Sequence, residues 1–589
     1  MTASQAFDTD VLIVGSGPMG ATTALGLGTY GVRCHVVTRS NWTANTPRAH
    51  ITNQRAVEVL RDFGIEAEAR REATPWEWMG DTLFTTSLAG PEIARLRTWG
   101  TGDDRIGDYL QGSPCGMMDL PQNKMEPLLV KHAAARGVSF QFNTEYLRFE
   151  EDAQGVTVWL QDRFSGREYT MRARYLVGAD GARSKVMDDA GLELQGELAR
   201  AATAYVLFRA DLTRYAAHRP SILYWIVTSN AAFGEIGMGL LRAIEPWNQW
   251  IAGWGFDFTQ GEPDFSKEEV TRRVRLLVGD PDLDIEINTT SVWYVNQAHA
   301  PVYSKGRVFC GGDAVHRHPP SSGLGSNTCM GDAFNLAWKL AFVIKGFAGE
   351  RLLDSYSLER APVGAQIVAR ANQSRRDYAP LNKCFRDTEA ADPVAAGLAK
   401  LSAANADGAR RRADLTEALD LKNFEFNAQG VELNQRYASQ AVIEEPGEGP
   451  EQWTRDPQLY VQATTRPGAK IPHHWLVGAD GRKVSTLDVV GKGKFSLVTG
   501  ISGSAWVQAA TRLSLPYLRT VVIGAPGALD LYYTWYKHSE IEEGGALLIR
   551  PDGVVAWRNK RTVRDSADAE RQLRMAFGSL LDQSESARS

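Results

Sequence analysis

Residues Asp10 to Ser40 read DVLIVGSGPMGATTALGLGTYGVRCHVVTRS, and the way this run is broken decides the fold. From Val11 to Val32 no side chain is charged, a stretch of 22 residues, near the length of a membrane-spanning helix. Six glycines and Pro18 interrupt it, and the residues before it are acidic (Asp8, Asp10), where a signal peptide needs a basic start. Neither a span nor a leader fits. The run divides instead into a buried strand, DVLIVG, a glycine turn, a helix to about Thr29 and, after Gly31, the strand VRCHVVT. Gly15, Gly17 and Gly20 give G-x-G-x-x-G, with Ser16, Pro18 and Met19 completing the turn and opening the helix. The first glycine allows the tight turn, the second lets backbone approach a pyrophosphate, and the third lets helix and strand pack closely. That is the βαβ unit of a dinucleotide-binding fold. An acid normally ends the second strand and binds the ribose; here Thr38 stands there, followed by Arg39. Two readings stay open: a threonine or backbone contact to the ribose, or an arginine for an NADP 2′-phosphate.

Two distant stretches repeat the strand-into-turn pattern. RYLVGADGARSKV (174–186) closes on Asp180 and Gly181, and GRVFCGGDAVHRHPP (306–320) ends its strand at Gly312 and Asp313. After SSGLGSN, apolar residues recur at Met330, Ala333, Phe334, Ala337, Leu340 and Ile344, so a second glycine loop opens a helix. Free N–H groups at such a start favour a negatively charged ring edge. The density of Asp313, His316 and His318 suggests a metal, yet no further ligand at workable spacing is evident, so no metal is expected. His316 and His318 read as loop residues that hydrogen-bond their neighbours.

The rest of the composition narrows the class. A chain of 589 residues is too long for one core, and its apolar (43%) and charged (23%) fractions are those of a globular protein. A net charge of −5 gives no reason to expect nucleic acid. Five scattered cysteines without a CxxC argue against disulfides or zinc and suit a reducing cytoplasm.

Three strand-to-loop elements serving one ligand are far more specific than one, and here they resemble the class A FAD-dependent aromatic hydroxylases, in the phenol hydroxylase branch. GSGPMG matches that family's dinucleotide fingerprint, GADGARS its DG motif, and GGDAVHRHPPSSGLGSN with DAFNLAWKL its GD motif; TPRAHITNQRAVEVLRDFGI and DLPQNKMEPLL lie between. The likeness spans nearly the whole chain. It implies an α/β chain, α+β overall. A Rossmann-like FAD-binding domain (1–75, 110–190, 300–385) would be interleaved with an antiparallel-sheet substrate domain (76–109, 191–299). A helical linker (386–430) and a thioredoxin-like C-terminal domain (431–589) would follow, the latter without redox cysteines because none lies beyond Cys384. It also implies tight, non-covalent FAD. Asp313 would bind the ribityl chain and Pro320 would sit against the isoalloxazine. Gly323, Leu324, Gly325, Ser326 and Asn327 would hold the pyrimidine end. Arg48 would reach the pyrophosphate, Gln122 the ribityl or phosphate region, Asp180 the pyrophosphate, and Tyr146 would pack by the adenine.

The same resemblance implies the chemistry. NADPH or NADH reduces FAD as a transient co-substrate, since no second G-x-G-x-x-G appears. O2 then adds to give a C4a-hydroperoxide whose distal oxygen attacks a ring carbon ortho to a phenolic hydroxyl, giving a catechol. A base that makes the phenolate lowers that barrier, typically about 10²–10⁴-fold in rate. In the family pattern an acid five places before the helix arginine has that role; here the arginine is Arg55 and the fifth residue before it is His50. The other reading of His50 is a helix-entry histidine bonded to backbone. Strand-like runs between Ala202 and Asp257 would roof the flavin, with Tyr224, Trp225 and Trp293 as pocket aromatics. Arg242 is the evident cation for a carboxylate-bearing substrate, and the scarcity of others tilts toward a neutral chloro- or alkylphenol over resorcinol, hydroxybenzoate or a polycyclic phenol. A reductase, dehydrogenase or halogenase on the same fold, and a non-catalytic interaction protein, are the competing classes. A homodimer or homotetramer in the cytoplasm, with no membrane or nucleic-acid partner, completes the expectation. GARRRAD and EEPGEGPEQ, within a polar region beginning near Asn405, read as exposed linkers.

Overall fold

The computed structural model describes residues 6–229, 234 and 236–583. Strand Thr9–Val14 is buried along its length, as a strand covered on both faces must be. It runs parallel to Cys34–Val37 on one side and to the end of Glu168–Gly178 on the other, and Glu168–Gly178 runs parallel to Val308–Cys310. The sheet reads Ser304–Lys305, Val308–Cys310, Glu168–Gly178, Thr9–Val14, Cys34–Val37, Ser139–Gln141, and the hairpin Thr144–Glu151/Val156–Asp162 extends from Glu168–Gly178. Helix Pro18–Thr29 starts on its proline, ends where expected, and packs on helices Gly325–Ile344 and Gln122–Ala134. Because the three parallel strands end at one edge, the turns after Val14, Gly178 and Cys310 stand side by side. Hydrogen bonds from Ala179 N–H to the Val14 carbonyl (2.8 Å) and from Gly311 N–H to the Gly178 carbonyl (3.1 Å) tie them together.

A second eight-stranded sheet runs His316–Arg317, Glu286–His299, Gln195–Arg209, Gln249–Phe256, Gly239–Glu245, Leu223–Ile226, Asp81–Thr85, Glu92–Arg97. All pairs are antiparallel except Leu223–Ile226 with Asp81–Thr85. Four of these strands fall in the runs read from sequence, although Phe233 and Glu235 of one run lie outside the described residues. The long strand Glu286–His299 was not anticipated; its mostly half-exposed, polar residues hide the alternation that marks a strand. Alternation splits the sheet's side chains. Ala204, Val206, Phe208, Tyr224, Leu241, Trp250 and Trp254 pack outward on Val270, Val274 and Leu277 of helix Lys267–Val278. Leu223, Trp225 and Leu240 pack inward with Ile51, Met79, Phe84 and Tyr378.

The GARRRAD stretch is not an exposed linker. It lies in helix Ala406–Leu421, capped by Asn405, which buries Leu415 and Ala418 with Leu381, Phe385 and Leu401. Its arginines are the solvated face of a packed helix, and Arg411 and Arg412 donate to carbonyls that end neighbouring helices. Beyond it, a four-stranded sheet reads Leu518–Ile523, Phe495–Gly500, Ala546–Ile549, Val555–Asn559, the first pair parallel and the rest antiparallel. Helices Ser504–Leu513 and Ser566–Leu580 cover it through Trp506, Ala509 and Leu573. This is a thioredoxin-like topology. It is joined to the first domain by Phe495 and Phe577 packing near Trp338 and Phe342, and by a buried ionic cluster described below.

Candidate active site

The three turns form a cradle whose glycines are fixed by crowding. Gly15 has φ +106°, and a Cβ there would lie 2.1 Å from the Ala179 carbonyl oxygen. A Cβ on Gly20 would lie 2.0 Å from the Gly15 carbonyl oxygen, so helix and turn meet only without a side chain. Gly17, by contrast, faces open space, with only a Glu126 carboxylate oxygen at 3.7 Å from its would-be Cβ. Ser16 and Met19 are buried beneath the turn. Helix Pro18–Thr29 has neither a side-chain cap nor an acid in its first turn, and neither does helix Gly325–Ile344. Two helix N-termini therefore present unanswered N–H groups and positive dipole ends at this edge.

Around them the GD loop is shaped from below. Asp332, wholly buried, accepts from Gly312 N–H (3.1 Å), His316 Nε2 (2.9 Å) and Arg360 Nε (2.7 Å), and Arg360 and His316 hold its carboxyl below the usual range against burial. His318 Nδ1 donates to the Pro319 carbonyl (2.7 Å), and burial lowers its pKa to about 4, so it is neutral at pH 7. Above this frame Asp313 and Pro320 are exposed among buried neighbours. The Asp313 carboxylate makes no hydrogen bond or ion pair among the described residues. Ser322 and Gly323 turn at φ +68° and +61°, and Leu324, Gly325 and Ser326 open the helix. Asn327 spends its amide on structure, donating to the Ile51 (2.8 Å) and Gly323 (2.6 Å) carbonyls and accepting from Asn53 N–H (3.0 Å). It ties the loop to the segment that carries His50.

The remaining expected cofactor residues divide. Arg48 is exposed, its side chain makes no hydrogen bond or ion pair among the described residues, and it lies near enough to Glu126 to oppose the rise in that residue's pKa, while Arg39 is exposed and Thr38 buried at the end of the second strand. Gln122 donates to Glu126 (2.6 Å), whose other oxygen accepts from Ala44 N–H (2.6 Å). Burial raises the pKa of Glu126, and nothing in the sequence had singled it out. Asp180 accepts from the Ser184 hydroxyl (2.5 Å) and from the N–H groups of Lys185 (2.8 Å) and Val186 (3.2 Å), so its carboxylate shapes the DG turn. The Tyr146 hydroxyl donates to Asp189 (2.8 Å) behind that turn.

The second sheet roofs this edge. Trp225 and Arg242 point to its inner face, and Trp293, paired with Thr203, shares the face of Tyr205. Tyr224 does not. As the neighbour of Trp225 on one strand it points outward, wholly buried, with its hydroxyl on the Arg219 carbonyl (3.1 Å) and its ring on Trp250. Expected as a pocket aromatic, it is a core residue of the far side. Tyr205, not singled out from sequence, lies near Arg242 and Arg375, which oppose the upward push of burial on its phenol. His50 is buried, its pKa held well below the ordinary imidazole value by desolvation and by Arg242, against the pull of the Pro47 carbonyl. Its Nδ1 lies 3.9 Å from Asp119, which is wholly buried and bound to Arg242 Nη2 at 3.0 Å. Asp119 was also missed; it reaches His50 through the two-residue pairing of Ile51–Thr52 with Met118–Asp119.

These features fit FAD: open backbone at Gly17, two uncapped helix starts, an exposed arginine, and an exposed aspartate over a buried frame. No group of three His, Cys, Asp or Glu residues able to hold a metal occurs among the described residues. Residues 8–371 match the FAD binding domain family, and residues 464–580 the aromatic-ring hydroxylase C-terminal family. The chain is 47% identical over 567 residues to the 2,4-dichlorophenol 6-monooxygenase of Cupriavidus pinatubonensis, covering 95% of this chain and 94% of that one. It is 45% identical to the phenol 2-monooxygenase of a Pseudomonas species, with 95% and 91% covered. Among solved structures, the flavin-dependent monooxygenase PieE in complex with FAD and substrate superposes with a TM-score of 0.93 at 41% identity, covering 98% of this chain and all of that one.

Proposed function

We infer that this chain, which belongs to the FAD-binding aromatic-ring hydroxylases, uses NAD(P)H and O2 to hydroxylate a phenol beside its hydroxyl, giving a catechol. The observation that carries the substrate class is Arg242. It is the cation expected to meet a carboxylate-bearing substrate, and it is already neutralised by Asp119 at 3.0 Å. Phenol and 2,4-dichlorophenol, named for the relatives, suit an inward face built of Leu223, Trp225 and Leu240.

When bound, FAD supplies the electron relay from NAD(P)H and the activation of O2. The chain's own residues do the rest. Arg48 and the start of helix Pro18–Thr29 would answer its phosphate charge, Asp313 would accept from its ribityl hydroxyls, and the start of helix Gly325–Ile344 would favour its anionic ring edge. The roof excludes water, which would otherwise divert the activated oxygen. His50, uncharged at neutral pH, accepts the phenolic proton, and the phenolate then drives electron density into the ring carbon that is attacked.

The Thr38 position suits a ribose contact through hydroxyl or backbone. The five cysteines, all buried and unpaired, suit a reducing cytoplasm, and no helix among the described residues is long and apolar enough to cross a membrane. A homodimer or homotetramer is the expected assembly; Leu531, Tyr532, Tyr533 and Tyr536 form an exposed apolar surface that such contact would cover. The function is tested with the FAD-loaded protein, NADPH and a panel of phenols under ¹⁸O2. Labelled catechol is expected; NADPH consumption with only peroxide from every phenol would point to a reductase or oxidase.

A further inference from the structure

The inward roof, the His50 segment and the strand Met118–Asp119 meet at three side chains that the cofactor cradle does not use. Asp119 is wholly buried, with Oδ1 3.0 Å from Arg242 Nη2 and 3.9 Å from His50 Nδ1. Its Oδ2, the His50 Nδ1 and the Arg242 Nε have no hydrogen-bond partner among the described residues. Three unsatisfied polar atoms at one buried carboxylate are costly unless they serve a state in which they pair. The backbone locks the arrangement: Leu120 N–H donates to the His50 carbonyl (2.8 Å), and Ile51 pairs with Asp119.

We propose that Asp119 is the positioning residue of His50: its carboxylate, anchored by Arg242, orients the imidazole and stabilises the imidazolium formed when the substrate's proton arrives. The proposal rests on the reading of His50 as the base. In the step, the phenolic O–H bond breaks, the oxygen keeps the electron pair, and an N–H bond forms on the imidazole. Both ring nitrogens of the imidazolium are then donors, and the Nδ1–H faces Asp119. A modest side-chain shift closes 3.9 Å to a charge-assisted hydrogen bond, and such bonds tighten in the reacting complex. Burial raises the Asp119 pKa and Arg242 opposes that rise; held on Asp119 at 3.0 Å, the guanidinium is in turn not free for a substrate carboxylate.

The charged and titratable groups facing the pair give the proposal a signature. His50 faces Asp119 at 3.9 Å, and also Arg242; Asp119 also feels Lys124; Arg242 also faces Tyr205. In Asp119→Asn the imidazolium meets Arg242 without compensation, so protonation of His50 becomes harder and the acid limb of hydroxylation moves to lower pH. In Arg242→Gln the carboxylate faces the imidazolium alone, protonation becomes easier, and the limb moves to higher pH. Opposite displacements distinguish orientation and charge from a merely structural role, which would move neither.

The experiment uses the full-length FAD-loaded chain and its Asp119→Asn, Arg242→Gln and His50→Asn variants, with FAD content checked by visible absorbance. Catechol formed per NADPH is measured against pH with phenol and 2,4-dichlorophenol. Asp119→Asn should lower kcat for hydroxylation about 10²-fold with a smaller change in KM, and the two acid limbs should move apart. Coincident limbs in a wild type that hydroxylates would overturn the proposal alone. Hydroxylation that survives His50→Asn but not Asp119→Asn would make Asp119 itself the proton acceptor and overturn it too. A wild type that makes no catechol would remove the underlying reading of His50. Should Asp119→Asn fail to hold FAD, the direction of the Arg242→Gln limb decides.

Discussion

Replacing Glu359 by Gln should destabilise the chain strongly although the change is isosteric. Glu359 is wholly buried and accepts five hydrogen bonds: two from Arg550 (2.6 and 2.9 Å), and one each from Lys339 (2.8 Å), Asn335 (2.6 Å) and Ser439 (2.6 Å). Lys339 lies on the helix that opens at the flavin cradle, and Arg550 comes from the C-terminal domain, where Asp552 also holds it (2.5 Å). Two cations and two anions balance; after Glu359→Gln one buried cation is left over. Breaking a buried pair in this way costs about 3–5 kcal/mol. In a melting experiment that is roughly 3 °C if the whole chain unfolds as one unit and about five times that if the segment 464–580 melts alone, at about 2 cal/mol/K of unfolding entropy per residue. The pH dependence follows from Lys339, which burial lowers to about 8 even with Glu359 beside it. A lysine with a lowered folded pKa loses its proton first in the folded state, so stability rises with pH from the folded value toward the unfolded one. Without Glu359 the folded value drops further and that rise begins earlier. The deficit of the variant should therefore be largest at mildly acidic pH, above the ordinary Glu range, narrow toward about pH 8 and hold steady above it; in strong acid it should shrink again, because wild type then loses the stability that ionised Glu359 gives the folded state. Circular dichroism melts at several pH values measure this. A loss below about 1 kcal/mol, or one that does not vary with pH, would refute the reasoning.

Three further outcomes are expected. Gly15→Ala places a methyl 2.1 Å from the Ala179 carbonyl oxygen at φ +106°, so it should purify colourless or bind FAD at least about tenfold more weakly, measured by fluorescence titration; unchanged affinity would contradict the close approach of the two turns. His50→Ala should leave NADPH oxidation partly intact while cutting catechol per NADPH at pH 7, with a rate loss of about 10²–10⁴-fold in hydroxylation; unchanged coupling would remove His50 from the mechanism. Tyr224→Phe should cost only about 1 kcal/mol of stability and leave KM for phenol unchanged, whereas Trp225→Ala should raise KM severalfold; the reverse pattern would mean the strand's faces are assigned wrongly.

What the sequence disclosed follows from where the constraint is local. Gly15 and Gly20 are set by crowding against backbone of their own or the adjacent turn, and Gly15, Gly181 and Gly312 by a positive φ; with Gly17 at the same short spacing these positions were legible, and with them the nucleotide-binding sheet. The face of a strand buried on both sides is not local information: Tyr224 and Trp225 are both apolar and both buried, and only the sheet's partners separate core from pocket. The His50–Asp119–Arg242 contact depends on a two-residue strand pairing and on the fold of a second domain, neither of which leaves a pattern in the chain. Helix Ala406–Leu421 hid for a related reason. Few of its residues are buried, so its composition is that of a linker while its packing is that of a helix.

The most direct test of the central claim is equilibrium binding of FAD to the stripped protein, followed by its visible spectrum and by quenching of tryptophan fluorescence. One FAD per chain, with a perturbed flavin spectrum that shifts again when phenol is added, is the expected result. A correctly folded chain that stays colourless at saturating FAD, or a bound flavin whose spectrum ignores every phenol, would contradict it.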